Sequence, residues 1–228
     1  LKEQNIPTIL VSGIFRKNQI FFRPIGEFMR TSLKAFDHFF VQDKTSKDLL
    51  KSIHLENATI SGDTRFDRVY KILQQDNSLD FITTFKNNQY TVVAGSTWKE
   101  DEEIIVNYIN TSDSENEKFI IAPHNINAKN IELLKKSIHK KVVLFSEREG
   151  KNLFEYDVFI IDTIGILTKI YASANVAYVG GGLTKNGVHN VLEPATFGVP
   201  IVIGPEYKKY KEVVDLVALN GCKAVSYT

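Results

Sequence analysis

The chain has 228 residues, enough for one large domain or two smaller ones. Hydrophobic residues make up 43 % and charged residues 24 %, the balance of an ordinary water-soluble globular protein. A formal net charge of +1 gives no global drive toward nucleic acid, the single cysteine (Cys222) excludes an internal disulfide, and no apolar run is long enough to span a bilayer.

The opening residues look like a helix end rather than a signal peptide. "IPTILVSG" (6–13) is a β-branched apolar run closed by glycine and predicts a buried strand. Ile25, Phe28, Met29, Leu33 and Phe36 recur at helical spacing and predict a helix over 25–37. "HFFVQD" predicts a second strand, "KTSKDLLKSI" a helix capped by Thr45 or Ser46, "NATISGD" a third strand and "RFDRVYKILQQ" a third helix. The polar stretch around Gln75–Gln89 is the expected linker, with the division into domains placed at 1–68 and 69–228.

The second block alternates more regularly. Strands are predicted at 90–96, 118–124, in "KVVLFSE" and "YDVFIID", then in "NVAYVGG", "VPIVIGP" and "KAVSYT". Amphipathic helices fall between them at 99–110, 127–138, 164–174, in "VLEPATFG" and in "KYKEVVDLVALN". Continuous Val/Ile runs imply strands covered on both faces, the pattern of a doubly wound parallel α/β sheet of Rossmann type. The chain begins at Leu1 without Met and stops at Thr228 just after a strand-like segment, so it reads as a fragment.

Ligands of such sheets bind beyond the carboxyl ends of the strands. The residues there are polar, small or glycine: Gly95–Trp98, Pro123–Asn125, Asp162–Gly165, Gly180–Gly182 and Gly204–Glu206. Ser96 and Thr97 before a helix offer backbone N–H groups and hydroxyls to a phosphate; a plain N-cap is an equal alternative. The glycine triplet lets backbone approach an anion, although it matches neither a dinucleotide nor an ATP-cleaving fingerprint. His189 and Asn190 precede a helix and suit phosphate or carboxylate oxygens; taken alone, His189 reads more simply as a satisfied loop histidine. Glu193, in that helix's first turn, suits two ribose hydroxyls or merely complements the helix dipole. Asp162 either orients a ligand or caps the next helix, the cap being the simpler reading. Arg65 either reaches a phosphate or pairs with Asp63 or Asp67. The five histidines (His38, His54, His124, His139, His189) show no metal-ligand spacing, so no metal is expected. The 15 phenylalanines read as core filling, since no positive stripe accompanies them as a nucleic-acid platform would require.

Six motifs in order, "GDTRFD", "AGSTWKEDEE", "APHN", "DTIGIL", "YASANVAYVGGG" and "GVHNVLEPATFGVPIVIGP", resemble the 3-deoxy-D-manno-octulosonic acid (Kdo) transferases of lipopolysaccharide synthesis. The resemblance covers nearly the whole chain. It implies a GT-B glycosyltransferase fold: a Rossmann-like donor domain (69–228) preceded by the second half of a similar amino-terminal, acceptor-side domain (1–68). It implies CMP-Kdo as donor, a lipid A precursor as acceptor, no cofactor, and work at the cytoplasmic face of a Gram-negative inner membrane, held there by a segment absent here. Carried over, Ser96 and Thr97 meet the donor phosphate and Asp162, Thr163, Ile164 and Gly165 border the cytosine. Gly181 and Gly182 line phosphate and sugar, His189 and Asn190 touch phosphate or the Kdo carboxylate, and Glu193 takes the ribose. His124 stands where the family commonly has Arg, and "GIFRKNQIFFR" is atypical. The catalytic base is expected upstream of Leu1. A GT-B enzyme using a UDP-sugar, transferase or epimerase, and a non-catalytic nucleotide-binding module are the alternatives.

Overall fold

A computed structural model describes residues 4–114 and 116–225. The residues at 1–3, read as a helix end, and the last three of the strand predicted at 223–228 lie outside the described residues. The chain divides into two units, Leu1–Arg68 and Val69–Thr228.

In the first unit β1 (Ile9–Gly13), β2 (His38–Val41) and β3 (Ala58–Ile60) form a parallel sheet in that order. Helices α1 (Glu27–Leu33) and α2 (Lys44–Lys51) connect them. Phe15, Leu33, Phe39, Val41, Leu50 and Ala58 make the core. Three expectations are corrected here. The run Ile6–Gly13 is not buried on both faces: β1 is an edge strand whose Ile9 and Val11 are exposed, because successive side chains alternate and only one face meets the core. The helix predicted from Ile25 starts later, after a 3-10 turn at Pro24–Gly26, and its stripe fails as a buried face, with Ile25 and Phe28 exposed and Leu33 buried. The cap of α2 is Asp43, which accepts from Ser46 N at 2.7 Å; the Ser46 hydroxyl is buried and accepts from Phe15 N at 2.8 Å.

In the second unit seven strands are all parallel. They are β4 (Tyr90–Thr97), β5 (Glu117–Pro123), β6 (Val142–Leu144), β7 (Val158–Ile160), β8 (Val176–Val179), β9 (Ile201–Ile203) and β10 (Cys222–Ala224). Their order is β10-β9-β8-β4-β5-β7-β6. The helices are α3 (Thr64–Leu73), within which the division falls, α4 (Asp80–Lys86), α5 (Lys99–Thr111), α6 (Ala128–Ser137), α7 (Leu167–Tyr171), α8 (Leu192–Thr196) and α9 (Lys211–Ala218).

The Val/Ile runs are legible as faces. On β5, Ile120 packs with Val93, Phe85 and Phe159, while its neighbours Phe119 and Ile121 pack with Ile109, Ile131 and Ile160 in a separate cluster. Both faces of the sheet are therefore covered, as the doubly wound class requires. The stretch Gln75–Gln89 is not a linker. It holds α4, whose Ile82 and Phe85 are fully buried, with the Phe85 and Phe159 rings 5.3 Å apart. Apolar residues three apart on an otherwise polar segment suffice to dock a short helix. Two other elements are shorter than predicted: "KVVLFSE" ends in a 3-10 turn at Phe145–Glu147, and the helix expected from Ile164 begins at Leu167.

The order places a switch point in the sheet. Chain order runs outward from β4 through β5 on one side and from β8 through β9 to β10 on the other. The crevice beyond the carboxyl ends of β4 and β8 is where such a sheet takes a ligand.

Candidate functional site

At that crevice the end of β4 and the loop after β8 are joined by one buried carboxylate. Asp101, in the first turn of α5, has no accessible surface. Its Oδ2 accepts from Trp98 N at 2.8 Å and Gly181 N at 2.9 Å, and its Oδ1 from the Tyr178 hydroxyl at 2.6 Å. Hydrogen bonds to a carboxylate are shorter and stronger than neutral ones, so this group clamps the two rims together. The glycines make the approach possible. A Cβ on Gly180 would lie 2.4 Å from Ser96 O, and Gly181 holds φ +91° with its missing Cβ 2.9 Å from His189 Cδ2. Gly182 is buried against the backbone of Gly204.

The predicted residues then fall as follows. Ser96 is left-handed (φ +53°) and sits at a bulge in β4, where the register with β5 shifts between Gly95 and Thr97. Thr97 is 1 % exposed, and its hydroxyl contacts Glu102 Oε1 at 3.1 Å. Neither residue is the N-cap of α5; Trp98 holds that position. Burial raises the Glu102 carboxyl, against the lowering effect of its bond to Thr97. His124, exposed at the end of β5, stacks on Trp98 (ring centroids 4.7 Å apart) and on His189 (4.4 Å). His189 Nε2 receives the Trp98 indole N–H at 2.7 Å. Burial first, and then the neighbouring His124, hold His189 below the ordinary histidine range, opposed by Asp101.

Asn190 Nδ2 donates to Glu193 Oε1 at 3.1 Å, while its Oδ1 accepts from Leu192 N. The other oxygen of Glu193 accepts from the Thr168 hydroxyl at 2.7 Å. Glu193 is thus held from two sides with lone pairs remaining on both oxygens. Asp162 does not cap α7, where Ile166 takes that position. Its carboxylate instead accepts from Ser146 N at 2.9 Å and Ser146 Oγ at 2.5 Å, tying the end of β7 to the turn after β6. Thr163 is partly buried. Ile164 is 84 % exposed, an apolar side chain left open on the rim, and Gly165 beside it has φ +93°. Arg65, in the first unit, pairs with Asp63 at 2.5 Å.

Contacts therefore join Ser96, Thr97, His124, Gly181 and His189 around Trp98, Asp101 and Gly180, and separately join Asn190 to Glu193 a few residues further along the chain. Asp162 has its own anchor, and Arg65 belongs to the other unit. Trp98, Asp101, Tyr178, Thr168 and Ser146 carry the arrangement and have no role assigned from sequence. For Asp101 a signal existed: an acidic residue three positions after Trp98 at a helix start is a capping pattern. A cavity of 650 Å³ between α5 and α6 shares Thr97, Trp98, Pro123 and Asn125 with the rim but contains none of Gly181, His189 or Glu193. Converging polar groups, not volume, mark the site. Among the described residues no group of three or more His, Cys, Asp or Glu side chains is placed to hold a metal ion.

A family model described as 3-deoxy-D-manno-octulosonic-acid transferase (kdotransferase) matches residues 1–68. The 3-deoxy-D-manno-octulosonic acid transferase of Rickettsia typhi is 26 % identical over 200 residues, 85 % of this chain and 42 % of its own length. That of Aquifex aeolicus is 32 % identical over 133 residues, 57 % of this chain and 36 % of its own. The chain is thus similar to Kdo transferases, in its first 68 residues by the family model and over most of its length by these relatives. It spans less than half the length of these two relatives. Among solved structures, the C-terminal CMP-Kdo binding domain of WaaA from Acinetobacter baumannii is similar with a TM-score of 0.55 and 24 % identity, over 65 % of this chain and 83 % of that one. A UDP-N-acetylglucosamine 2-epimerase from Listeria monocytogenes is similar with a TM-score of 0.53 and 14 % identity, over 89 % and 51 %. These likenesses concern the fold, which is the α/β GT-B class expected from the sequence.

Proposed function

We propose that this chain carries the donor side of Kdo transfer in lipopolysaccharide synthesis: it binds CMP-Kdo, from which Kdo passes to a lipid A precursor. The observation that supports this most is the convergence of Gly181, His189, Asn190 and Glu193 at the switch point of the second unit. Glu193, steadied by Asn190 and Thr168, accepts the ribose hydroxyls. Ile164 and the Asp162–Gly165 loop border the cytosine, an apolar side chain against the base face. His189, Asn190 and the backbone of Gly182 receive the phosphate or the Kdo carboxylate, while the Gly181 N–H is held by Asp101 and this glycine serves by leaving room beside His189. Ser96 and Thr97 serve through backbone N–H groups, since the Thr97 hydroxyl is already bonded to Glu102.

In the reaction an acceptor hydroxyl loses its proton to a base and attacks the anomeric carbon of Kdo, and the bond to the CMP phosphate breaks. The phosphate leaves with its negative charge, which preorganised N–H donors stabilise. In this reading the proton is taken by a base other than the residues assigned here to the donor. No helix among the described residues is long and apolar enough to cross a membrane. The cytoplasmic face of the inner membrane is the proposed place of work because the acceptor is a lipid. Leu1–Arg68 is the acceptor-side part and Val69–Thr228 the donor-side part.

Calorimetric titration of the purified chain with CMP and UDP tests the reading. CMP is expected to bind, to bind more weakly to Glu193→Gln, and to win over UDP. Failure to bind CMP overturns the donor assignment, and a preference for UDP moves the chain to a UDP-sugar enzyme.

A further inference from the structure

Trp98 and His189 are 91 positions apart in the chain and meet ring to ring. Indole Nε1 lies 2.7 Å from His189 Nε2, the ring planes are 7° apart and the centroids 6.2 Å apart, so the rings sit side by side. His124 covers both, inclined by 20° to Trp98 and 25° to His189. An indole N–H can only donate. The nitrogen that faces it therefore bears no proton, and the proton of the neutral ring is on Nδ1. Protonation of Nε2 would set two N–H groups against each other.

We propose that Trp98 is a positioning residue that fixes His189 as the neutral Nδ1–H tautomer, so that His189 gives an anionic ligand one N–H donor and no positive charge. The tautomer rests on the ring geometry alone; the ligand half rests on the CMP-Kdo reading above. The surroundings act in the same sense. His189 N donates to Gly180 O at 3.0 Å, and the bare Cα of Gly181 lies against the ring, which fixes its orientation. The titratable groups facing it are His124 from the end of β5 and Asp101 from α5. Burial and His124 disfavour the imidazolium, and Asp101 alone favours it. A loop histidine with a free ring would change tautomer and charge readily; this one keeps both while the indole bond holds.

Nuclear magnetic resonance of the whole chain, labelled with nitrogen-15 in histidine and tryptophan, tests the proposal without any ligand. His189 is expected to show a protonated Nδ1, a bare Nε2 and a nitrogen–nitrogen coupling across the hydrogen bond to Trp98. In Trp98→Phe, which keeps a ring against His124 but has no donor, the coupling disappears and the Nε2–H form grows. The His189 titration midpoint then rises by about one pH unit, the size of one lost hydrogen bond. A wild-type His189 protonated on Nε2, or a Trp98→Phe protein with an unchanged tautomer, overturns the proposal. If that variant does not fold, the wild-type coupling and tautomer decide. Titration with CMP separates the two claims. A locked tautomer without CMP binding overturns the donor reading and leaves the lock standing. A Trp98→Phe protein that changes tautomer yet binds CMP as tightly as wild type overturns the role of Nδ1–H toward the ligand.

Discussion

Replacing Asp101 separates the clamp from ordinary packing. In Asp101→Ala the N–H groups of Trp98 and Gly181 lose their acceptor, and the Tyr178 hydroxyl loses its 2.6 Å bond. A buried donor left without its partner costs roughly 1–3 kcal/mol, so two such donors and one lost bond sum to about 3–7 kcal/mol. Asp101→Asn has the same shape. Its carboxamide oxygen, in the place of Oδ2, still accepts from both backbone N–H groups. Its amide nitrogen, in the place of Oδ1, donates to the Tyr178 oxygen, which can accept. The charge assistance is lost and the Tyr178 O–H loses this acceptor, together about 1–3 kcal/mol. Thermal and urea unfolding read the difference. At ~2 °C or more per kcal/mol for a chain of this size, Asp101→Ala lowers Tm by at least about 6 °C and Asp101→Asn by clearly less. An Asp101→Ala protein within ~2 °C of wild type, or an Asn variant as unstable as the Ala variant, would refute the clamp.

Gly181→Ala forces a Cβ to 2.6 Å from Gly187 O at φ +91°, and a loss of roughly 1–3 kcal/mol is expected in urea unfolding. His189 makes stability depend on pH. Its folded pKa lies below the ordinary 6.5, so in the window between the two values the unfolded chain binds more protons. The contribution is full above 6.5 and declines as pH falls through the folded value; the urea midpoint of His189→Gln should lack that decline. Phe85→Ala opens a cavity beside Phe159 in the main core, at a cost of about 3–5 kcal/mol measured by calorimetry. A mild effect there would mean that α4 is dispensable, as a linker would be.

The sheet of the second unit was legible because burial on both faces writes itself as uninterrupted Val/Ile runs. Phe119, Ile120 and Ile121 are one such run, and the structure sends them alternately to two clusters. The same pattern misled at β1. An edge strand with one covered face can carry Ile9 and Val11 outward at little cost, and composition does not distinguish the cases. It failed in the opposite sense at Gln75–Gln89, where two core residues, Ile82 and Phe85, hide in a polar stretch. Short helices are fixed by where a few side chains dock, which is a property of the tertiary structure and not of the local sequence.

The site divides along a similar line. Residues at strand ends follow from the topology, which is why His189, Asn190 and Glu193 could be named from their place after β8. Their hydrogen-bond partners could not. Thr168 reaches Glu193 across 25 positions, Ser146 reaches Asp162 across 16 and Asp101 reaches Gly181 across 80. Each partner is chosen by the folded geometry, and each alters what the named residue can do. The Thr97 hydroxyl is turned to Glu102, and the neighbouring Trp98 sets which nitrogen of His189 carries a proton. A strand-end reading thus identifies the groups that line a crevice, while the buried polar layer beneath it determines the hydrogen-bonding character each group presents.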